Sequence, residues 1–269
     1  MPDQPQPSAA QPPTADRAAA TPAAAQPVSG SVAERLATVR GRIAAAAVAA
    51  GRDPGEVRLL VATKTQTPDA VLEALAEGVD LIGENRVQEL VAKAPAVADR
   101  VADGSLEVHM IGHLQRNKIN QVLASATCLE TLDSLDLARA ISGRCVRDGR
   151  TRALEVMVQV NVTGEESKSG VGPDDAVALA TAVAALPGLR LTGFMTIGAR
   201  LDGTAEETVR AGFARLRAVR DAVLASGAPG TGSATELSMG MTGDLELAIA
   251  EGATIVRVGT AVFGPRPAP

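Results

Sequence analysis

The chain has 269 residues, 46% of them hydrophobic, with a net charge of −5 and a pI of about 5.2. Its arginines are scattered among acids, as in Glu34-Arg35, so it lacks the basic face of a nucleic-acid binder. Two isolated cysteines, Cys128 and Cys145, argue against a disulfide framework or a zinc site, and no apolar run reaches the about 18 residues of a membrane span, so a cytoplasmic protein is expected.

Residues 1–30 are Pro/Ala-rich and lack both a signal-peptide core and, with Arg17 alone, a transit-peptide pattern. Such composition is expected to stay a disordered tail, leaving 31–269 as one domain. Ser31 with Glu34 three residues on reads as a capping box, opening an extra N-terminal helix that runs to about 50 and stops at Gly51. Strand-like and helix-like segments then alternate. Strands are predicted at 57–64, 79–83, 106–111, 128–131, 154–162, 189–196, 236–238 and 253–258. Helices are predicted between them at 68–77, 85–98, 115–124, 134–147, 173–185, 205–225 and 243–251. A count that closes at eight strands, with no GxGxxG after the first, favours a single (β/α)8 TIM barrel over an open doubly wound sheet.

In such a barrel the chemistry collects at the C-terminal ends of the strands. The first strand, in LLVATKTQ, ends on Lys64. Only four of the 26 basic residues are lysines, namely Lys64, Lys93, Lys118 and Lys168. A lysine at a strand end then points to something arginine cannot do, which is to lose its proton and attack a carbonyl. Alternation along the strand puts Arg58, Leu60, Ala62 and Lys64 toward the lumen, and Val57, Leu59, Val61 and Thr63 toward the helices. Desolvation there disfavours the ammonium form. A lysine that snorkels to solvent is an equal alternative.

The other strand ends carry weaker signals. Ile82-Gly83-Glu84-Asn85 turns at the second, where Asn85 reads as a helix N-cap or a hydrogen bonder in the site. His109 and His113 lie in VHMIGHLQ, a strand running into a turn, and read as structural or site-lining rather than as a metal pair. SKSG at 167–170 reads as a surface loop. LSMGMTGD at 237–244 and RVGT at 257–260 follow the last two strands, where barrels often hold phosphate. Gly240 and Gly259 allow close backbone approach, Ser238 and Thr260 supply hydroxyls, and Thr242 reads as a cap for the next helix. Arg257, within its strand, needs either a neighbouring acid or a bound ligand. An imine-forming lysine and a phosphate cup at one mouth fit pyridoxal 5′-phosphate (PLP), and a class-I aldolase type of barrel shares both features. The residues alone leave the two open.

VATKTQ, IGEN, HMIGHLQRNK, SKSG, GFMTI, LSMGMTGDLELAI and VRVGTAVFG occur in this order across residues 31–264. In them the chain resembles the YggS/PROSC family of PLP homeostasis proteins. The resemblance implies a barrel like the N-terminal domain of alanine racemase, with PLP held as a Schiff base on Lys64. It further implies Ser238, Gly240, Gly259 and Thr260 around the phosphate, Arg257 facing the pyridine nitrogen, and Asn85 and Met239 lining the cofactor. Thr242 stands where the family often has serine.

The composition bears on catalysis. Alanine racemases use a tyrosine as second base and carry a further β domain, whereas this sequence has no tyrosine and stops at Pro269. An arginine on the pyridine nitrogen, having donors only, makes the ring a weaker electron sink. The expected protein is therefore a monomer that holds PLP, with apo PLP-dependent enzymes as candidate recipients. A low-activity PLP-dependent amino-acid racemase is the runner-up, and an aldolase-like imine enzyme is the third reading.

Overall fold

The computed structural model describes residues 30–165, 167–199, 201 and 204–264. Apart from Gly30, the expected tail lies outside them. The described residues open with α1 (Val32–Ala49), started by a capping box in which Ser31 Oγ accepts from the Glu34 N–H and the Glu34 carboxylate accepts from the Ser31 N–H. Leu36, Val39, Ile43 and Ala47 recur at helical spacing and form its buried face. A 3-10 turn at Pro54–Glu56 leads into β1 (Arg58–Ala62). There follow α2 (Pro68–Ala76), β2 (Leu81–Glu84), α3 (Val87–Ala102), β3 (Glu107–Met110), α4 (Ile119–Ser125) and β4 (Cys128–Leu132). Next come α5 (Leu135–Arg147), β5 (Leu154–Gln159), α6 (Pro173–Ala184), β6 (Leu189–Met195) and α7 (Glu206–Ala225). The last described elements are β7 (Glu236–Ser238), α8 (Leu245–Ala250), β8 (Ile255–Val258) and α9 (Thr260–Phe263).

The eight strands are parallel and close into one barrel in sequence order, with β1 hydrogen-bonded to both β2 and β8. Two cores result. Val57, Val61, Ile82, Val108, Val156 and Val256 belong to the outer one, between strands and helices. Leu60, Ala62, Leu81, Ile111, Cys128, Met157, Met195 and Ile255 fill the lumen. The alternation expected for the first strand is observed over Arg58–Ala62, but the strand stops at Ala62, short of the expected end. Lys64 follows in a turn closed by the Gln66 N–H on the Thr63 carbonyl, from which it lines the barrel mouth.

Several boundaries differ from expectation. Arg86, not Asn85, is the N-cap of α3, which starts later and runs further, carrying Pro95 inside it. Helix α8 starts at Leu245 with Asp244 as N-cap and no side-chain cap bond, so Thr242 is not a helix cap. Asp244 Oδ1 instead accepts from the Met241 N–H at 2.5 Å, which folds the loop after β7 on itself. The four-residue α9 is too short to leave a periodic pattern in the sequence.

Candidate functional site

Inside the barrel, a polar column rises from the N-terminal end toward the mouth. Arg58, at the start of β1, pairs with Glu107 at 2.9 Å and approaches Glu236 at 3.7 Å. His109 Nε2 reaches Glu107 Oε2 at 3.3 Å, and its Nδ1 reaches Glu130 Oε1 at 2.7 Å. Ser238 Oγ donates to Glu130 Oε2 at 2.6 Å and accepts from Arg257 Nη1 at 2.8 Å. Arg257 Nη2 donates to the Thr196 carbonyl at 2.7 Å.

Charge is compensated along this column. Burial pushes the His109 imidazole down, but bonds to Glu107 and Glu130 outweigh it and lift its pKa to about 9. His109 is therefore a cation at neutral pH, and both ring nitrogens donate. The same contact, helped by Arg58 against burial, holds Glu107 at about 2. Burial pushes Glu130 up, yet His109, Arg257 and Ser238 leave its carboxyl below the ordinary value. Burial lowers the Arg257 guanidinium, with Glu130 and Asp244 opposing.

Above the column lies a cavity of about 310 Å³. Such a volume sits at the lower end of the range of about 300–1,000 Å³ for small-molecule sites. Lys64, Asn85, Arg257, Gly259 and Thr260 line it, joined by Met241, Thr242 and Gly243 from the loop after β7. Ala62, Ile111, Met195 and Ile197 supply the apolar part. Two close backbone approaches shape the wall. A Cβ at Gly112 would fall 1.9 Å from the Asn85 carbonyl oxygen, and one at Gly259 would fall 2.9 Å from the Ala62 carbonyl oxygen.

Five of the eight residues singled out from the sequence thus meet at one cavity: Lys64, Asn85, Arg257, Gly259 and Thr260. Ser238, Met239 and Gly240 stand elsewhere. Ser238 is fully buried under Arg257, and Met239 is packed in the outer core. Gly240 has φ +91° and sits against Ala248, so it turns the loop rather than facing the cavity. Of the two histidines, His109 has the structural role expected of it, as part of the column, while His113 is exposed and 3.7 Å from Asp133. Among the described residues no cluster of metal-ligating side chains is present.

Comparison with known proteins follows the same lines. The sequence pattern of the alanine racemase N-terminal domain family matches residues 42–267. The pyridoxal phosphate homeostasis protein of Pseudomonas aeruginosa is 44% identical over 238 residues, which cover 88% of this chain and 96% of that protein. This chain belongs to the pyridoxal phosphate homeostasis protein family, within the alanine racemase N-terminal domain group. A crystal structure of an unknown protein from Bifidobacterium adolescentis superposes on this family member with a TM-score of 0.82 at 48% identity, covering 86% of this chain and 94% of that one. PipY of Synechococcus elongatus, solved with PLP bound, gives a TM-score of 0.71 at 33% identity over 87% of this chain and all of its own.

Reading from sequence missed Glu130, which belongs to the column, and Met241, Thr242, Gly243 and Ile197 at the cavity. Glu130 sits in a buried strand, CLETL, where one carboxylate among apolar neighbours was the available signal.

Proposed function

We propose that this chain binds PLP in the cavity at the barrel mouth, with Lys64 as the covalent anchor, and serves PLP homeostasis. The observation that carries the reading is the meeting of Lys64 and Arg257 on one wall with the glycine- and hydroxyl-rich loops after β7 and β8. This donor set suits the group. A lysine amine meets an aldehyde, backbone N–H groups and the Thr242 and Thr260 hydroxyls suit a phosphate, and a guanidinium donates to a ring acceptor. When bound, PLP supplies an aldehyde carbon open to amine attack.

The remaining work belongs to the chain. Lys64 Nζ holds the aldehyde end. Asn85, backed by Gly112, borders the same wall. Arg257, fixed by Ser238 and Thr196, offers donors only and keeps a facing ring nitrogen unprotonated. That arrangement favours holding over carbanion chemistry. The racemase alternative lacks a tyrosine to act as second base. The same reading makes the protein a cytoplasmic monomer that passes PLP to apo-enzymes, which gel filtration and transfer assays test.

The deciding experiment is a visible absorption spectrum of the PLP-treated protein before and after borohydride, with peptide mass mapping. The expected result is a band abolished by reduction and a phosphopyridoxyl mass on Lys64, both lost in Lys64→Ala. A spectrum with no band after PLP addition overturns the reading.

A further inference from the structure

Lys64 sits between two peptide units that are gripped from outside the barrel. Thr65, directly after it, has φ +66°, and it is the one non-glycine with positive φ among the described residues. A β-branched residue is strained there. The Thr65 N–H donates to Glu89 Oε2 at 2.6 Å. On the other side, the Thr63 carbonyl accepts from Lys93 Nζ at 2.7 Å.

Glu89 and Lys93 lie one turn apart on α3, 3.6 Å from each other. Lys93 is 5% exposed and also donates to Glu84 Oε1 at 2.6 Å. The Thr63 hydroxyl reaches the same oxygen at 2.5 Å. The Gln66 N–H closes the turn onto the Thr63 carbonyl at 3.0 Å. This grip is on the helix side of β1, while Lys64 lines the cavity on the lumen side.

The arrangement is not the least costly way to end a strand. Glycine at 65 would adopt the same φ without strain. A buried lysine must be paired to be tolerated. Glu84 Oε2 is buried without a hydrogen-bond partner, and burial pushes the Glu84 carboxyl up against Lys93 and Thr63. Strain that persists beside one side chain marks a direction that the surroundings over-determine.

We propose that Lys93 and Glu89 are positioning residues for Lys64, with Thr65 as the strained pivot. They fix the line along which Lys64 Nζ enters the cavity, so that it meets an aldehyde rather than swinging to water. The inference rests on the reading of Lys64 as the PLP anchor.

The test compares full-length wild type with Thr65→Gly, Glu89→Gln and Lys93→Met. Three quantities are read: the rate at which PLP becomes borohydride-trappable on Lys64, the affinity for pyridoxine 5′-phosphate, and the thermal midpoint. Pyridoxine 5′-phosphate has an alcohol in place of the aldehyde, so it fills the cavity without engaging Lys64. Thr65→Gly is expected to melt at or above the wild-type midpoint, to keep its pyridoxine 5′-phosphate affinity, and to trap PLP about tenfold more slowly. Glu89→Gln is expected to shift the rate the same way, and Lys93→Met further, with a lower midpoint. A merely structural cluster would move stability and trapping together.

Wild-type trapping rates in Thr65→Gly and Glu89→Gln would overturn the inference, whether or not Lys93→Met folds. If wild type itself traps no PLP, the anchor reading fails, and a separate arm decides the positioning. In cofactor-free protein, an amine-reactive reagent is expected to label Lys64 faster in Thr65→Gly, and an unchanged rate overturns the proposal.

Discussion

Below the cavity, Arg58, Glu107, His109, Glu130 and Ser238 meet partners contributed by other strands of the same barrel. At the mouth, Lys64, Asn85, Gly259 and Thr260 border open volume. Arg257 belongs to both, held from beneath by Ser238 and exposed to the cavity above. The lower groups make the lumen a fixed electrostatic floor, and the upper ones use that floor to aim at a ligand. Variants in the column should therefore move stability first, and variants at the mouth should move binding first.

The strongest way to break this division is Glu130→Leu. It leaves the His109 and Arg257 cations without their shared carboxylate, so a loss of about 3–5 kcal/mol is expected in urea unfolding. Arg257 should lose its orientation with it, and PLP affinity should fall alongside. A stable variant with normal affinity would refute the coupling between floor and mouth.

A second test is pH. His109 is raised from 6.5 to about 9, so its contribution is complete below pH 6.5 and is lost as pH rises through 9. Unfolding free energy should fall by about 3 kcal/mol across that window, and His109→Asn should flatten the slope. The smallest effect serves as calibration. Ser31→Ala removes the capping box of α1, which lies outside the barrel lumen, and should lower stability by about 1 kcal/mol with little change in PLP binding.

How far sequence reading reached follows from what each signal depends on. Strand parity is local, so the lumen face of β1 was legible from its own residues, whereas Lys64 stands beyond the strand in a turn that parity does not describe. Asn85 was open between a helix cap and a site residue, and Arg257 between an ion pair and a ligand contact; the closed barrel brings both to the cavity. The role of Ser238 was not legible, because its partner Glu130 lies 108 residues away across the lumen. Phosphate chemistry suggested Ser238 and Gly240, whereas the loop's actual path brings Thr242 and Gly243 to the wall. The Lys93 grip on Thr63 was hidden likewise, since no pattern within α3 says what its side chains meet on β1. Pairings set by the closure of the barrel, rather than by neighbours in the chain, mark the limit.

Closure has a further result through α1. Arg35 donates to the Val262 carbonyl, 227 residues away, and Arg42 donates to the Thr242 carbonyl, 200 residues away. Helix α1 thus braces helix α9 and the loop after β7, both made some two hundred residues after it. Until β8 and α9 have emerged, β1 lacks its second neighbour and the cavity lacks the Gly259–Thr260 wall. A nascent chain synthesised in the presence of PLP would therefore acquire its pocket only once β8 and α9 have emerged and met α1 and β1.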